Sequence, residues 1–132
     1  HLTLVFLGNV TADVRNCLSA AAALLHVPRF TLALDQLCYW AKPRIVWLGA
    51  SRVPDALQAL VDGLNGALTK CGLTPEPRGY QPHITLLRKA DRSKGEFVIQ
   101  PFEWKADRFC LVESSNATNG VVYRILNSWN LD

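Results

Sequence analysis

The sequence predicts a mixed fold of helices and strands built as two similar lobes, and three observations predict it. Two segments carry apolar residues at helical spacing, while the other apolar positions fall in short alternating or β-branched runs. The order reads strand, helix, two strands, helix, strand, then further strands. A short phrase, His-x-Thr-Leu, occurs twice in strand-like surroundings, at His1-Leu2-Thr3-Leu4 and at His83-Ile84-Thr85-Leu86, and each copy has a helix and a hairpin beside it.

Each element has a local reason. His1 to Leu7 is apolar at nearly every position, as in a strand covered on both faces, and Gly8-Asn9 ends it. Thr11 is an N-cap and Asp13 suits the first turn of a helix that runs through Val14, Leu18, Ala21, Ala22 and Leu25 and stops before Pro28. His26, at its end, reads as an ordinary polar residue near a helix C-terminus. Phe30 to Asp35 alternates as a strand, Leu37 to Trp40 forms another, and Arg44 to Gly49 pairs with it after the turn at Ala41-Lys42-Pro43. Pro54 and Gly72 bracket a second helix, with Leu57, Leu60, Val61, Leu64, Leu68 and Cys71 on one face. Pro75 to Pro82 is a loop, and Pro82 biases Gln81 towards extended geometry just before His83. Arg88 to Lys94 is a charged loop, Gly95 to Pro101 an extended segment, and Phe102 to Trp104 ambiguous. Arg108 to Glu113 and Val121 to Trp129 are expected to form a hairpin with a longer loop from Ser114 to Gly120.

A chain of 132 residues is one domain, 1–132, large enough to bury a core without staples. A net charge of +3 fits an anionic substrate but does not by itself argue for nucleic acid. No apolar run approaches a bilayer span, so no membrane partner is expected. Cys17, Cys38, Cys71 and Cys110 are scattered without a C-x-x-C and read as buried reduced thiols of a cytoplasmic protein. The chain has no methionine and opens on a motif residue, so an N-terminal segment is expected to be missing ahead of His1.

The repeated phrase carries the chemistry. Residues i and i+2 of a strand share a face, so each copy presents an imidazole and a hydroxyl side by side. With three histidines and seven threonines in the chain, two such pairs are roughly a one-percent coincidence. An unperturbed imidazole titrates near pH ~6.5, so one neutral and one protonated ring can serve one displacement as base and acid. Neighbouring hydroxyls can hold oxygens that gain charge. That set suits attack at phosphorus without a metal or other cofactor. A zinc site would need more ligands, and no carboxylate or cysteine lies near either motif in sequence.

The chain resembles the two-histidine (2H) phosphoesterases, in particular the RNA 2',3'-cyclic phosphodiesterases, also called 2'-5' RNA ligases. The likeness rests on His1-Leu2-Thr3-Leu4-Val5-Phe6-Leu7-Gly8, on Pro43-Arg44-Ile45-Val46-Trp47-Leu48-Gly49 and on Pro82-His83-Ile84-Thr85-Leu86-Leu87-Arg88, with a looser match from Glu113 to Leu126. It implies an α+β fold of two lobes related by a pseudo-twofold axis, with a cleft between antiparallel sheets, and a strand and helix ahead of the first motif. Without that segment the first lobe would expose a sheet edge. It also implies His83 as base and His1 as acid, Thr3 and Thr85 on the non-bridging oxygens, and a 2'-phosphate product, with reversible ATP-independent 2'-5' ligation as a candidate second activity. The partner is then an RNA or nucleotide ending in a 2',3'-cyclic phosphate, tRNA halves among the candidates, acted on by a monomer.

Other residues are weighed for contact with phosphate or RNA. Arg88 ends the second motif strand, but alternation puts it on the face opposite His83 unless the strand ends or bulges first. Lys89, Arg92 and Lys94 are candidates for a backbone approach. Tyr80, Phe6, Trp40, Trp47 and Tyr123 are candidate stacking surfaces, with Tyr80 and Tyr123 foremost. The rival readings are a catalytically silent nucleotide- or RNA-binding module with the same cleft, and a metal-dependent hydrolase.

Overall fold

A computed structural model describes residues 1–91 and 99–132. In chain order it contains α1 (Ala12–Ala22), β1 (Phe30–Leu34), β2 (Gln36–Trp40), β3 (Ile45–Gly49), α2 (Asp55–Lys70), β4 (His83–Leu87), β5 (Phe102–Ala106), β6 (Arg108–Ala117) and β7 (Gly120–Asn130). All strand pairs are antiparallel: β1 with β5, β3 between β2 and β4, and β6 with β7. The fold is α+β, as expected.

Helix α1 begins where its cap dictates, whereas α2 begins after Pro54 with no side-chain cap. The Thr11 hydroxyl accepts from the Val14 amide at 3.3 Å. The end of α1 comes earlier than the apolar spacing implied. The amides of Leu24 and Leu25 turn to carbonyls three residues back, on Ala21 and Ala22, which tightens the last turn. Leu25 then lies so close to α2 that a Cβ added at Gly63 would stand 2.9 Å from it. Leu57, Leu60, Val61, Ala67 and Leu68 form the buried stripe of α2. Leu57 and Val61 share a cluster with Leu32, Leu34 and Ala50, and Leu68 and Ala67 meet Leu18 of α1.

Four expectations are corrected. His1 to Leu7 is not a strand: it alternates but makes no ladder with any described residue. Leu2, Leu4, Val5 and Leu7 anchor it by packing on the buried clusters instead. The final hairpin has no long loop, because β6 continues through Ser114, Ser115 and Asn116, which pair with Tyr123, Val122 and Val121. Polar residues suit a two-stranded ribbon whose faces are both wet here, and the turn is only Thr118-Asn119 ahead of Gly120, at φ 128°. The ambiguous Phe102–Trp104 stretch is a strand, pairing Leu34 with Phe102 and Leu32 with Trp104. Residues 92–98, with Arg92, Lys94 and most of the expected Gly95–Pro101 segment, lie outside the described residues, and 99–101 form no strand.

The fourth correction concerns the cysteines. Cys17 and Cys71 form a disulfide across 54 positions, with Cα atoms 5.9 Å apart. Packing of α1 on α2 brings them together, a contact that spacing alone does not disclose. Cys38 and Cys110 are free and half-buried. The bridge removes the argument from four reduced thiols to a reducing compartment. Among the described residues no helix is long and apolar enough to cross a membrane.

Candidate active site

Strand β4 mounts the second motif. Pro82 is fully buried, and the extended chain before it aims the Gln81 carbonyl at His83, whose Nδ1 lies 2.9 Å away. A carbonyl only accepts, so Nδ1 carries the hydrogen and Nε2 of the neutral ring keeps its lone pair. His83 stands opposite Gly49, and Thr85 opposite Trp47. Paired residues share a face, so both motif side chains join Trp47 and, from β2, Trp40. The Trp40 ring is 4.9 Å from that of His83 and the Trp47 ring 5.9 Å, both edge-on, with 4.5 Å between the two indoles. Gly49 permits this: the Trp47 ring lies over it, where any Cβ would collide.

The first motif is positioned by burial of its other face. Leu2 and Leu4 pack on the cluster around Leu32, Leu34 and Leu57, and Ile84 of the second motif packs on the same cluster. Since alternate residues of an extended chain point opposite ways, His1 and Thr3 turn outward, away from that core, and both are exposed. The His1 ring meets Tyr123 of β7 edge-on, with centroids 4.7 Å apart. The two halves are tied by Tyr80, whose hydroxyl donates to the Thr3 carbonyl at 3.1 Å. Burial pushes the Tyr80 phenol pKa well above its ordinary value, so it remains a donor.

The remaining candidates divide. A bulge separates the pairs Trp47–Thr85 and Val46–Leu87, which leaves Leu86 as an extra residue in β4. Leu87 therefore shares the face of Val46. The ladder ends at that pair and β4 ends at Leu87; continuing its alternation by one position would put Arg88 on the face of Trp47, Thr85 and His83. Arg88 and Lys89 are exposed. Tyr80 is half-buried with its hydroxyl engaged, and Phe6 is 85% exposed. Tyr123 is about half exposed and Trp47 buried. Among the described residues no three His, Cys, Asp or Glu side chains group as a metal would require. Sequence reasoning missed the Gln81 carbonyl, for which Pro82 was the available signal, and it missed Arg44, whose neighbours are remote in sequence.

An imidazole with a fixed tautomer and a free Nε2, beside a hydroxyl and aromatic walls, is equipment for proton transfer at a small polar group. Comparison with known proteins gives the class. Residues 1–118 match the model of the 2'-5' RNA ligase superfamily. The chain belongs to that family, the two-histidine phosphoesterases. It is similar to the RNA 2',3'-cyclic phosphodiesterase of Escherichia coli (strain K12), at 38% identity over 134 residues, covering 99% of this chain and 75% of the relative. It is also similar to the enzyme of the same name from Aeropyrum pernix, at 32% identity over 140 residues, covering 96% of this chain and 78% of the relative. The crystal structure of E. coli LigT complexed with 3'-AMP superposes with a TM-score of 0.88 at 36% identity, covering 99% of this chain and 76% of that one.

Proposed function

We propose that the chain hydrolyses 2',3'-cyclic phosphate ends of RNA to 2'-phosphates by acid/base catalysis with two histidines. The observation that carries the reading is the His83 bond to the Gln81 carbonyl, which leaves Nε2 aimed away from the backbone with Thr85 on the same face. Its likeness to two enzymes named RNA 2',3'-cyclic phosphodiesterase, and to a LigT structure holding 3'-AMP, supports the substrate class.

In this scheme His83 Nε2 takes a proton from water as the water oxygen attacks phosphorus, and the P–O3' bond breaks. His1, protonated, delivers a proton to the departing ribose O3'. Thr3 and Thr85 hold the non-bridging oxygens as negative charge builds on them. Arg88, the first residue past β4, meets the phosphate. Tyr123 is an exposed aromatic face for a base. With an RNA 5'-hydroxyl in place of water the same groups keep their roles: His83 takes the hydroxyl proton, O3' departs with the proton from His1, and a 2'-5' bond forms without ATP. Tailored RNA ends such as tRNA halves are substrates of suitable chemistry, and a monomer suffices because both motifs come from one chain.

The test is to incubate the protein with adenosine 2',3'-cyclic monophosphate and follow the appearance of 2'-AMP. His1→Ala and His83→Ala should each lower kcat by about 10²–10⁴. Turnover that both variants leave untouched would refute the two-histidine scheme.

A further inference from the structure

Two non-glycine residues have left-handed backbone, Arg44 at φ 66° and Lys89 at φ 55°. They face each other where β3 begins and β4 has just ended. The Ala90 amide donates to the Arg44 carbonyl at 3.0 Å, and Arg44 Nε donates back to the Ala90 carbonyl at 3.1 Å. Arg44 Nη2 also reaches the Lys89 carbonyl at 3.4 Å and the Asp91 carboxylate at 2.7 Å. The Tyr39 hydroxyl donates to the Ala90 carbonyl at 3.4 Å, and Ala90 itself is buried.

The exposed Arg44–Asp91 pair alone is worth little. The carbonyl bonds are different: a planar guanidinium holds two successive carbonyls and a carboxylate in one geometry. Left-handed conformations at side-chain-bearing residues persist only where their surroundings determine them. Immediately before this turn lies Arg88, the first residue past β4 and the one that alternation continued beyond the bulge at Leu86 would bring to the His83 face.

We propose that Arg44 is a positioning residue: by latching the Lys89–Asp91 turn, it holds Arg88 towards the anion at the site. The proposal rests on the reading of Arg88 as the phosphate contact. Arg44 touches no reacting atom. Removing it frees Arg88 to swing and weakens anion binding, while proton transfer at the histidines is untouched.

The test is a double-mutant cycle on the whole chain, read as KM for adenosine 2',3'-cyclic monophosphate and as Kd for 2'-AMP. Arg88→Ala should weaken both by roughly tenfold, the loss of one charge-assisted bond. Arg44→Ala should weaken both by about threefold or more with Arg88 present, and have no further effect in the Arg88→Ala background. The pH profile of kcat should not move. Arg44→Lys should not rescue, because an ammonium cannot span the three acceptors. Should Arg44→Ala fail to fold, Tyr39→Phe removes a single bond to the same turn and should show the same dependence on Arg88. Equal cost with Arg88 absent, no cost with it present, or no loss on Arg88→Ala would each overturn the proposal. Coupled binding of 2'-AMP without turnover of the cyclic nucleotide would sustain it and defeat the phosphodiesterase reading. Normal turnover without coupling would do the reverse.

Discussion

The hydroxyl of Tyr80 donates a 3.1 Å hydrogen bond to the carbonyl of Thr3, 77 positions away, and so joins the backbone of one histidine motif to the approach of the other. His1 has no strand ladder beside it among the described residues, so this bond and the packing of Leu2 and Leu4 set where its ring stands.

Tyr80→Phe keeps the packing and removes the bond. Stability to urea should fall by about 1 kcal/mol. Because the phenol stays protonated at any working pH, that loss should be the same from acid to alkaline buffers. The kcat should fall by about threefold or more, since misplacing one of two proton-transfer groups costs rate rather than affinity. An unchanged kcat would show that His1 is positioned without Tyr80.

Two titrating imidazoles in one site should give kcat/KM a bell-shaped dependence on pH. The acid limb is lost when the base takes up its proton and the alkaline limb when the acid gives one up. Residual activity of His83→Ala should lack the acid limb, and that of His1→Ala the alkaline limb. A monotonic wild-type profile would contradict the assignment.

Gly49→Ala should disturb the site from behind. The new methyl collides with the Trp47 ring, which is buried and has little room to retreat. Such overpacking costs about 1–3 kcal/mol. The displaced indole lies against Trp40 and His83, so tryptophan fluorescence and kcat should change together.

Opening the Cys17–Cys71 bridge should lower stability by about 2–4 kcal/mol, because it closes a long loop of the unfolded chain. Thermal denaturation with and without reductant measures this, and Cys17→Ser should reproduce the reduced protein. Equal melting temperatures in both conditions would show that the bridge contributes nothing to the fold.

Much of this was legible in the residues. Helix α2 follows from Leu57, Leu60, Val61 and Leu68 between Pro54 and Gly72, and β4 from the apolar run after Pro82. The pairing of β2 with β3 was legible from the turn between them. Other features depend on what the chain meets after folding. Ser114 to Asn116 carry a loop's composition, yet a ribbon exposed on both faces accepts them as strand. Cys17 and Cys71 become neighbours only once α1 lies on α2. The site follows the same division. His83 and Thr85 share a face by strand geometry alone, whereas the walls from Trp40 and Trp47 need the sheet order. The Arg44 latch needs the end of β4, over forty residues on.

The extra residue at Leu86 also makes the length of the second motif a functional quantity. His83 and Arg88 are an odd number of positions apart, which in a regular ribbon would set them back to back. Deleting Leu86 would repair the irregularity and bring the two to an even separation, which sets them on one face of a regular ribbon. A chain shortened by that single codon should therefore pair more regularly along β4 and still carry imidazole and guanidinium on one side.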